Sequence, residues 1–142
     1  MRRATGAVLL ALAGALGVFG PWKVATGAVR TRETGVGATM SLVGWCCLLL
    51  LGAVAVLGVM AVRGGQRERR RLDATILAVG PIGIVACGWA AFSVSRWGSG
   101  VAALDTLGVH VRPGWGVFLC VAAFTAMTSM AVAARLRLLA DA

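Results

Sequence analysis

Long uninterrupted runs of apolar residues alternate with short polar segments along the whole chain. Four such runs, at about residues 5–22, 39–62, 74–95 and 115–134, have no charged residue in their interiors. Roughly 20 helical residues are needed to cross a hydrocarbon core of about 30 Å, so each run is long enough to cross a membrane. The hydrophobic pattern therefore predicts four transmembrane helices.

The apolar runs are continuous and lack the alternation of a membrane β-strand. Inside lipid every backbone polar group needs an internal partner, which also favours helices. We therefore expect an all-α integral membrane protein: a four-transmembrane-helix bundle with short loops that forms one membrane domain over residues 1–142. The first run, preceded by Arg2 and Arg3, also fits a signal peptide with a small-residue cleavage pattern near residues 25–28. We expect it to be retained as the first transmembrane helix.

Composition agrees with the hydropathy pattern. Hydrophobic residues make up 59% of the 142 residues and charged residues only 13%, far from the balance of soluble domains. The connections between the runs are too short for a folded soluble domain. Any function must therefore be carried out within the membrane or at its two surfaces.

The formal net charge of +9 is explained by cations at the ends of the apolar runs. Cytoplasmic loops are enriched in Lys and Arg, and placing both termini in the cytoplasm puts the larger set of cations on that side. The inner set is then Arg2, Arg3, Arg63, Arg67, Arg69, Arg70, Arg71, Arg135 and Arg137. The outer set is Lys23, Arg30, Arg32, Arg96 and Arg112. We predict cytoplasmic N and C termini.

Two outer segments connect the predicted helices. In the first, a short strand or hairpin is conceivable around Val24 to Arg32, but its small and polar residues favour a flexible connection. The second ends in "HVRPGWGVFL", residues 110–119. We interpret this stretch as a membrane-entry signal, because proline suits the start of a helix and Trp115 favours the headgroup level.

Small residues recur at helical spacing in two of the apolar runs. Ala7, Ala11 and Ala15 lie four apart in the first run. Thr125, Ser129 and Ala133 have the same spacing in the last run, next to a second line through Ala122 and Ala126. Such stripes allow membrane helices to approach closely, although an alanine-rich composition also produces them by chance.

All five tryptophans fall in the outer half of the predicted bundle. Aromatic belts normally occur at both membrane surfaces, so this asymmetry points either to anchoring and core packing or to an outer surface that grips a partner protein or a lipid. We predict the second role for an outer rim made of Trp22, Trp45, Trp89, Trp97, Arg112 and Trp115.

The cations between the second and third runs form a polybasic segment next to the membrane. Such a segment attracts anionic lipid headgroups, and it also acts as a topology determinant. For anionic-lipid contact at the inner face we predict Arg67, Arg69, Arg70 and Arg71.

The four cysteines, Cys46, Cys47, Cys87 and Cys120, also lie in the outer halves of the apolar runs. Zinc sites usually draw their ligands from short spaced pairs in polar loops, and a disulfide requires Cα atoms within about 7 Å. We expect these cysteines to be small packing residues and predict no metal and no cofactor.

Ionisable groups are absent from the interiors of the runs, whereas coupled carriers and pumps usually place such groups inside the membrane. His110 has no second histidine and no nucleophile arranged beside it in the sequence. The basic segments lack interleaved aromatic residues, which argues against nucleic-acid binding. We therefore predict no catalytic residues.

These observations favour a non-enzymatic accessory or structural subunit of a larger membrane complex, or a homo-oligomer, with membrane lipids and other subunits as partners. Alanine-, glycine- and arginine-rich usage without tyrosine favours the inner membrane of a high-GC bacterium. One alternative is a small oligomeric transporter or channel lined by hydroxyl residues: Thr75, Ser93, Thr125, Thr128 and Ser129. A second alternative is a lipid-handling enzyme that uses His110, Arg112 and the outer tryptophans.

Overall fold

The protein is mostly helical, with a small sheet at one end. The computed structural model describes residues 2–27, 30–35, 37, 41–100 and 108–140, with positions 2, 41, 97–100 and 138 described by their backbone only. In chain order the elements are α1 (Arg2–Phe19), β1 (Pro21–Thr26), β2 (Thr31–Thr34), α2 (Ser41–Arg63), α3 (Gln66–Gly100), β3 (His110–Pro113) and α4 (Trp115–Ala140).

The helices form a four-membered ring in which each packs against the next and α4 closes onto α1. Three of them are long and apolar enough to cross a membrane: α2 over Leu42–Arg63, α3 over Gln66–Arg96 and α4 over Trp115–Arg137. Helix α1 is apolar but shorter, over Arg3–Phe19. Length and composition thus support three of the four predicted spans, and α1 packs alongside α2 and α4.

Two helix ends differ from the sequence prediction. The predicted first span extended to residue 22, but α1 ends at Phe19 because Pro21 cannot continue the helical hydrogen-bond ladder. The predicted third span began at residue 74, but α3 begins at Gln66. The polybasic segment is consequently the first two turns of α3 and not a loop.

A three-stranded antiparallel sheet corrects the all-helical prediction. Its strand order is β2-β1-β3, so the central strand pairs with a neighbour in sequence and with a strand more than 80 residues away. The less favoured alternative, a hairpin near Val24 to Arg32, is therefore the observed structure, and the flexible connection is wrong. The membrane-entry stretch before α4 supplies the third strand.

Backbone hydrogen bonds join the residue before α4 to β1 and the residue after β2 to α1. The Gly114 amide donates to the Trp22 carbonyl at 2.7 Å, and the Gly35 amide donates to the Val18 carbonyl at 2.8 Å. At the far end, Gly27 has φ +136°, and a Cβ there would collide with the Gly108 carbonyl. Only glycine tolerates that conformation readily, so the sheet is anchored at both ends of β1.

The core is apolar along the length of the ring. Among the described residues no polar or charged side chain is buried. The predicted small-residue stripe of α1 contributes Ala7 and Ala11, each 1% exposed, and α4 contributes Phe124 and Met127. Small side chains on α1 thus allow large ones on α4 to fill the centre.

Candidate functional site

The predicted tryptophan rim lies at the end of the bundle that carries the sheet, but its members have different environments. Trp22 is only 1% exposed, and its indole Nε1 donates a hydrogen bond of 3.0 Å to the Gly17 carbonyl. It lies between the sheet and the helices. Trp22 therefore cannot be part of a contact surface, and its predicted rim role is corrected to core packing.

Three rim tryptophans do face outward. Trp45 is 55% exposed on α2, Trp89 is 66% exposed on α3 and Trp115 is 58% exposed on α4. The ring pair in contact among the described side chains is Trp89 with Phe92, with centroids 6.1 Å apart. The tryptophans thus lie on three helices without stacking on each other. The side chain of Trp97 lies outside the described part of the chain.

The sheet presents a row of two arginines separated by one valine. Val24 on the central strand is opposite Arg32 on one side and Arg112 on the other. Residues opposite each other in an antiparallel pair share one face of the sheet, and both arginines are exposed. The fold therefore places two guanidinium groups 80 residues apart in sequence on one surface.

The other face of the sheet turns toward the bundle. Ala25 and Val109 are buried, and β3 packs against α3. On this face Lys23 Nζ lies 3.8 Å from Glu33 Oε2, with both side chains about one-third exposed. The cation on the face of the sheet that turns toward the bundle is therefore paired with an acid. On the opposite face of the sheet, no acid within the described ranges pairs with Arg32 or Arg112.

His110 lies at the start of β3 with an exposed side chain. Its backbone carbonyl accepts a hydrogen bond of 3.4 Å from Thr26 Oγ1. This contact uses the main chain, so it holds the strand and does not orient the imidazole. The position gives no support to the enzyme alternative.

Three cysteines meet in the half of the core nearer the sheet. Cys47 on α2, Cys87 on α3 and Cys120 on α4 are all buried, and the Cys47 and Cys87 sulfurs are 3.4 Å apart. The Cys120 thiol donates to the Gly14 carbonyl at 3.2 Å. All four cysteines are free thiols, and Cys46 is exposed. No group of metal-binding residues with suitable geometry occurs in the part of the chain searched. The three buried thiols pack as small core residues.

This arrangement predicts selective thiol labelling. In the folded protein a small membrane-permeant maleimide should modify Cys46 and leave the other three thiols unmodified, because they have no exposed surface. Counting adducts by intact-mass spectrometry should give one label before and four after denaturation. The Cys46→Ala variant is the control and should carry no label before denaturation and three labels after it. Labelling of Cys47 or Cys87 in the folded protein would contradict the packing.

The hydroxyl groups proposed to line a pathway do not converge inside the bundle. Thr125 and Ser129 are exposed on the outside of α4, and Thr128 donates to the Phe124 carbonyl of its own helix at 2.7 Å. Thr75 and Ser93 are half-buried on α3. A pathway using Thr125 and Ser129 would need a second molecule.

The predicted inner lipid-contact residues lie on the first two turns of α3. Arg67, Arg69, Arg70 and Arg71 are all exposed. Arg71 also forms an ion pair of 3.3 Å with Glu68, one helical turn away. Because they are exposed around the helix, the cations can interact with a charged surface in several directions.

Two features of the protein surface were not predicted from the sequence. Arg32 was recognised only as an outer cation, since its position beside Arg112 depends on a pairing between β1 and a distant strand. The stripe of small residues on α4 was predicted, but the sequence did not indicate that it faces away from the core. The possible hairpin around Val24 to Arg32 was the one feature of the sequence that could have placed Arg32 in a sheet.

Comparison with known protein families finds no family model that matches the chain, and comparison with curated proteins finds no significant relative.

Proposed function

We propose that this protein is a non-enzymatic multi-pass membrane protein. It serves as an accessory or structural subunit of a larger bacterial membrane complex, or it assembles with copies of itself. The apolar, closely packed interior leaves the outer surfaces of the helices and the two ends of the bundle as the places where partners can bind. Lateral association within the membrane is therefore the activity that we propose.

In the proposed topology all four helices cross the inner membrane, and both termini are cytoplasmic. Helix α1 has 18 residues, which corresponds to about 27 Å at 1.5 Å per residue, close to the thickness of the hydrocarbon core. The sheet is then on the outer side, and the arginines at the start of α3 and the end of α4 face the cytoplasm. The excess of cations on that side supports this orientation.

The observation that carries the proposal is the small outward surface of α4. Between Phe118 and Val132 no large apolar side chain of this helix is exposed. The exposed positions there are Ala122, Thr125 and Ser129, and Ala133 continues the line. Small residues let two helix backbones approach closely in lipid, where van der Waals packing drives association.

Parts of α1 and α3 expose a different kind of surface. Helix α1 exposes Leu9, Leu12 and Leu16 in succession, and α3 exposes Ile82 and Val85. Large aliphatic side chains suit contact with lipid tails, whereas the α4 stripe exposes only small side chains, which suit a close helix contact. This difference supports α4 as the side on which a partner helix packs.

The two charged or aromatic regions have supporting roles in this proposal. Trp45, Trp89 and Trp115 hold the outer end at the headgroup level and contribute to partner or lipid contact. At the inner end, the four arginines near the start of α3 attract anionic lipids. Both regions fix the depth and orientation in which the α4 stripe meets its partner.

A matched pair of variants tests the role of α4. The Ala122→Leu/Ala133→Leu variant should weaken association about tenfold or more, because added side-chain volume in a close contact costs about 1–3 kcal/mol. The Ala53→Leu/Ala78→Leu control adds the same volume at exposed alanines of α2 and α3 and should associate normally. The measurement is mild-detergent purification with mass spectrometry of co-purified subunits and of the oligomer.

Two results would count against the proposal. One is a wild-type protein that purifies as a single partner-free monomer with full function. The other is equal association of the α4 variant and the control, which would show that the stripe is not the contact.

A further inference from the structure

The outward row formed by Arg32, Val24 and Arg112 is the strongest charged feature that the proposed function leaves unused. Its members come from all three strands, and no described acidic side chain pairs with either arginine. Neighbouring strands lie about 4.8 Å apart, so the two arginine backbones are about 10 Å apart across Val24. Their long side chains can therefore converge above the valine.

The row lies next to the level of the membrane surface. Arg112 is three residues before Trp115, the exposed first residue of α4. An extended strand rises about 3.3 Å per residue, which places Arg112 at most about 10 Å beyond that tryptophan. The headgroup layer extends roughly 5–8 Å beyond the hydrocarbon core on each side, and arginine side chains reach toward it while their stems remain on apolar surface.

The chemistry of the row fits a phosphate group. A guanidinium group makes two parallel hydrogen bonds to one phosphate. The two guanidinium groups of the row provide positive charge on both sides of an apolar valine. Exposed Phe19 and Trp115 are the last residue of α1 and the first residue of α4, on the membrane side of the sheet in the proposed topology, where they can contact the upper part of an acyl chain. A lipid therefore matches both the charge and the apolar surface.

We propose that Arg32 and Arg112, on either side of Val24, bind the phosphate of an anionic phospholipid in the adjacent leaflet. This inference rests on the proposed position of the sheet at the membrane surface, but not on the partner subunit. The α4 variant should therefore bind the lipid normally, and loss of the arginine row should leave subunit association intact. The two proposals can fail separately.

Single-charge variants test the row in the purified full-length protein. The probes are phosphatidylglycerol and phosphatidylcholine, and their affinities are measured by native mass spectrometry from detergent micelles. Arg32→Gln and Arg112→Gln should each weaken phosphatidylglycerol binding about fivefold, the change expected for one cation near a charged surface. Arg30→Gln, which removes an exposed cation outside the strands, should change it less than twofold. Phosphatidylcholine binding should change little in all three.

A second variant leaves both arginines in place. Val24→Glu puts a carboxylate between the two guanidinium groups, where it should occupy them and remove the preference for phosphatidylglycerol. Val24→Gln is its neutral control and should keep the preference. Circular dichroism of each variant establishes that the sheet and helices are intact, and the Val24 pair remains informative if the arginine variants do not fold.

Two further probes distinguish the source of the anion. Inorganic phosphate and a polyglutamate peptide should bind weakly and should not displace phosphatidylglycerol. Equal losses in Arg30→Gln and Arg112→Gln would overturn the proposal, because binding would then reflect net charge alone. The proposal would also be overturned if polyglutamate binding depended on Arg32 and Arg112 while phosphatidylglycerol binding did not. The row would then be a binding site for an acidic protein.

Discussion

Replacing Gly116 by alanine is expected to destabilise the protein by about 3 kcal/mol, the upper end of the usual cost of overpacking. A Cβ at this position would lie 2.5 Å from the Gly17 carbonyl oxygen and 2.8 Å from the Gly20 carbonyl carbon. Both neighbours are backbone atoms, so no side chain can rotate away to make space. Helices α1 and α4 must therefore separate at the point where the sheet begins.

The matched control is Gly88→Ala on α3. A Cβ there would meet nothing within 4 Å, and alanine favours the helix by up to about 1 kcal/mol relative to glycine. Gly88→Ala should consequently be neutral or slightly more stable than wild type. Thermal unfolding in detergent, followed by circular dichroism, measures both variants. Equal stabilities for the two would mean that α1 and α4 do not cross closely at Gly116.

Replacing Trp22 by alanine is expected to cost about 3–5 kcal/mol, the usual range for removing a buried large aromatic side chain. Among the side chains that the structure describes, Trp22 is the largest fully buried one, and it connects the sheet with α1 through its bond to the Gly17 carbonyl. Trp22→Phe keeps most of the apolar contact and should lose about 1 kcal/mol for the hydrogen bond.

An exposed tryptophan provides the comparison. Trp45→Ala removes the same side chain from a position that is 55% exposed on α2, so its effect on unfolding should be small. The variants are compared by unfolding in denaturing detergent and by limited proteolysis of the segment between α1 and α2. If Trp45→Ala were as damaging as Trp22→Ala, the assignment of Trp22 to the core would be wrong.

The tryptophans show how far the sequence could specify the outer end. An interfacial position after an apolar run fits an indole that faces lipid, and it fits equally an indole that folds back under a loop. Trp115 is exposed at the surface of the protein, whereas Trp22 is buried. The difference arises because the Trp22 indole bonds to the Gly17 carbonyl and lies beside Gly35 after β2, and no local pattern predicts these contacts.

The stripes of small residues lead to the same conclusion. Ala7 and Ala11 on α1 face the core, whereas Thr125, Ser129 and Ala133 on α4 face outward. The helical spacing is the same in both, because helix geometry sets it. Which stripe is covered depends on the rotation of each helix within the ring, and that rotation is set by the bulky Phe124 and Met127 of α4, which occupy the core.

The sequence by itself determined three helices long and apolar enough to cross a membrane, the approximate positions of all four helices and the concentration of tryptophan toward one end of the bundle. These follow from local hydrophobicity and spacing, since each is a property of one segment alone. The tertiary structure decided the sheet, the burial of Trp22, the outward direction of the α4 stripe and the row of Arg32 and Arg112. Each of these depends on contacts between segments far apart in the chain, and such contacts leave little trace in local composition.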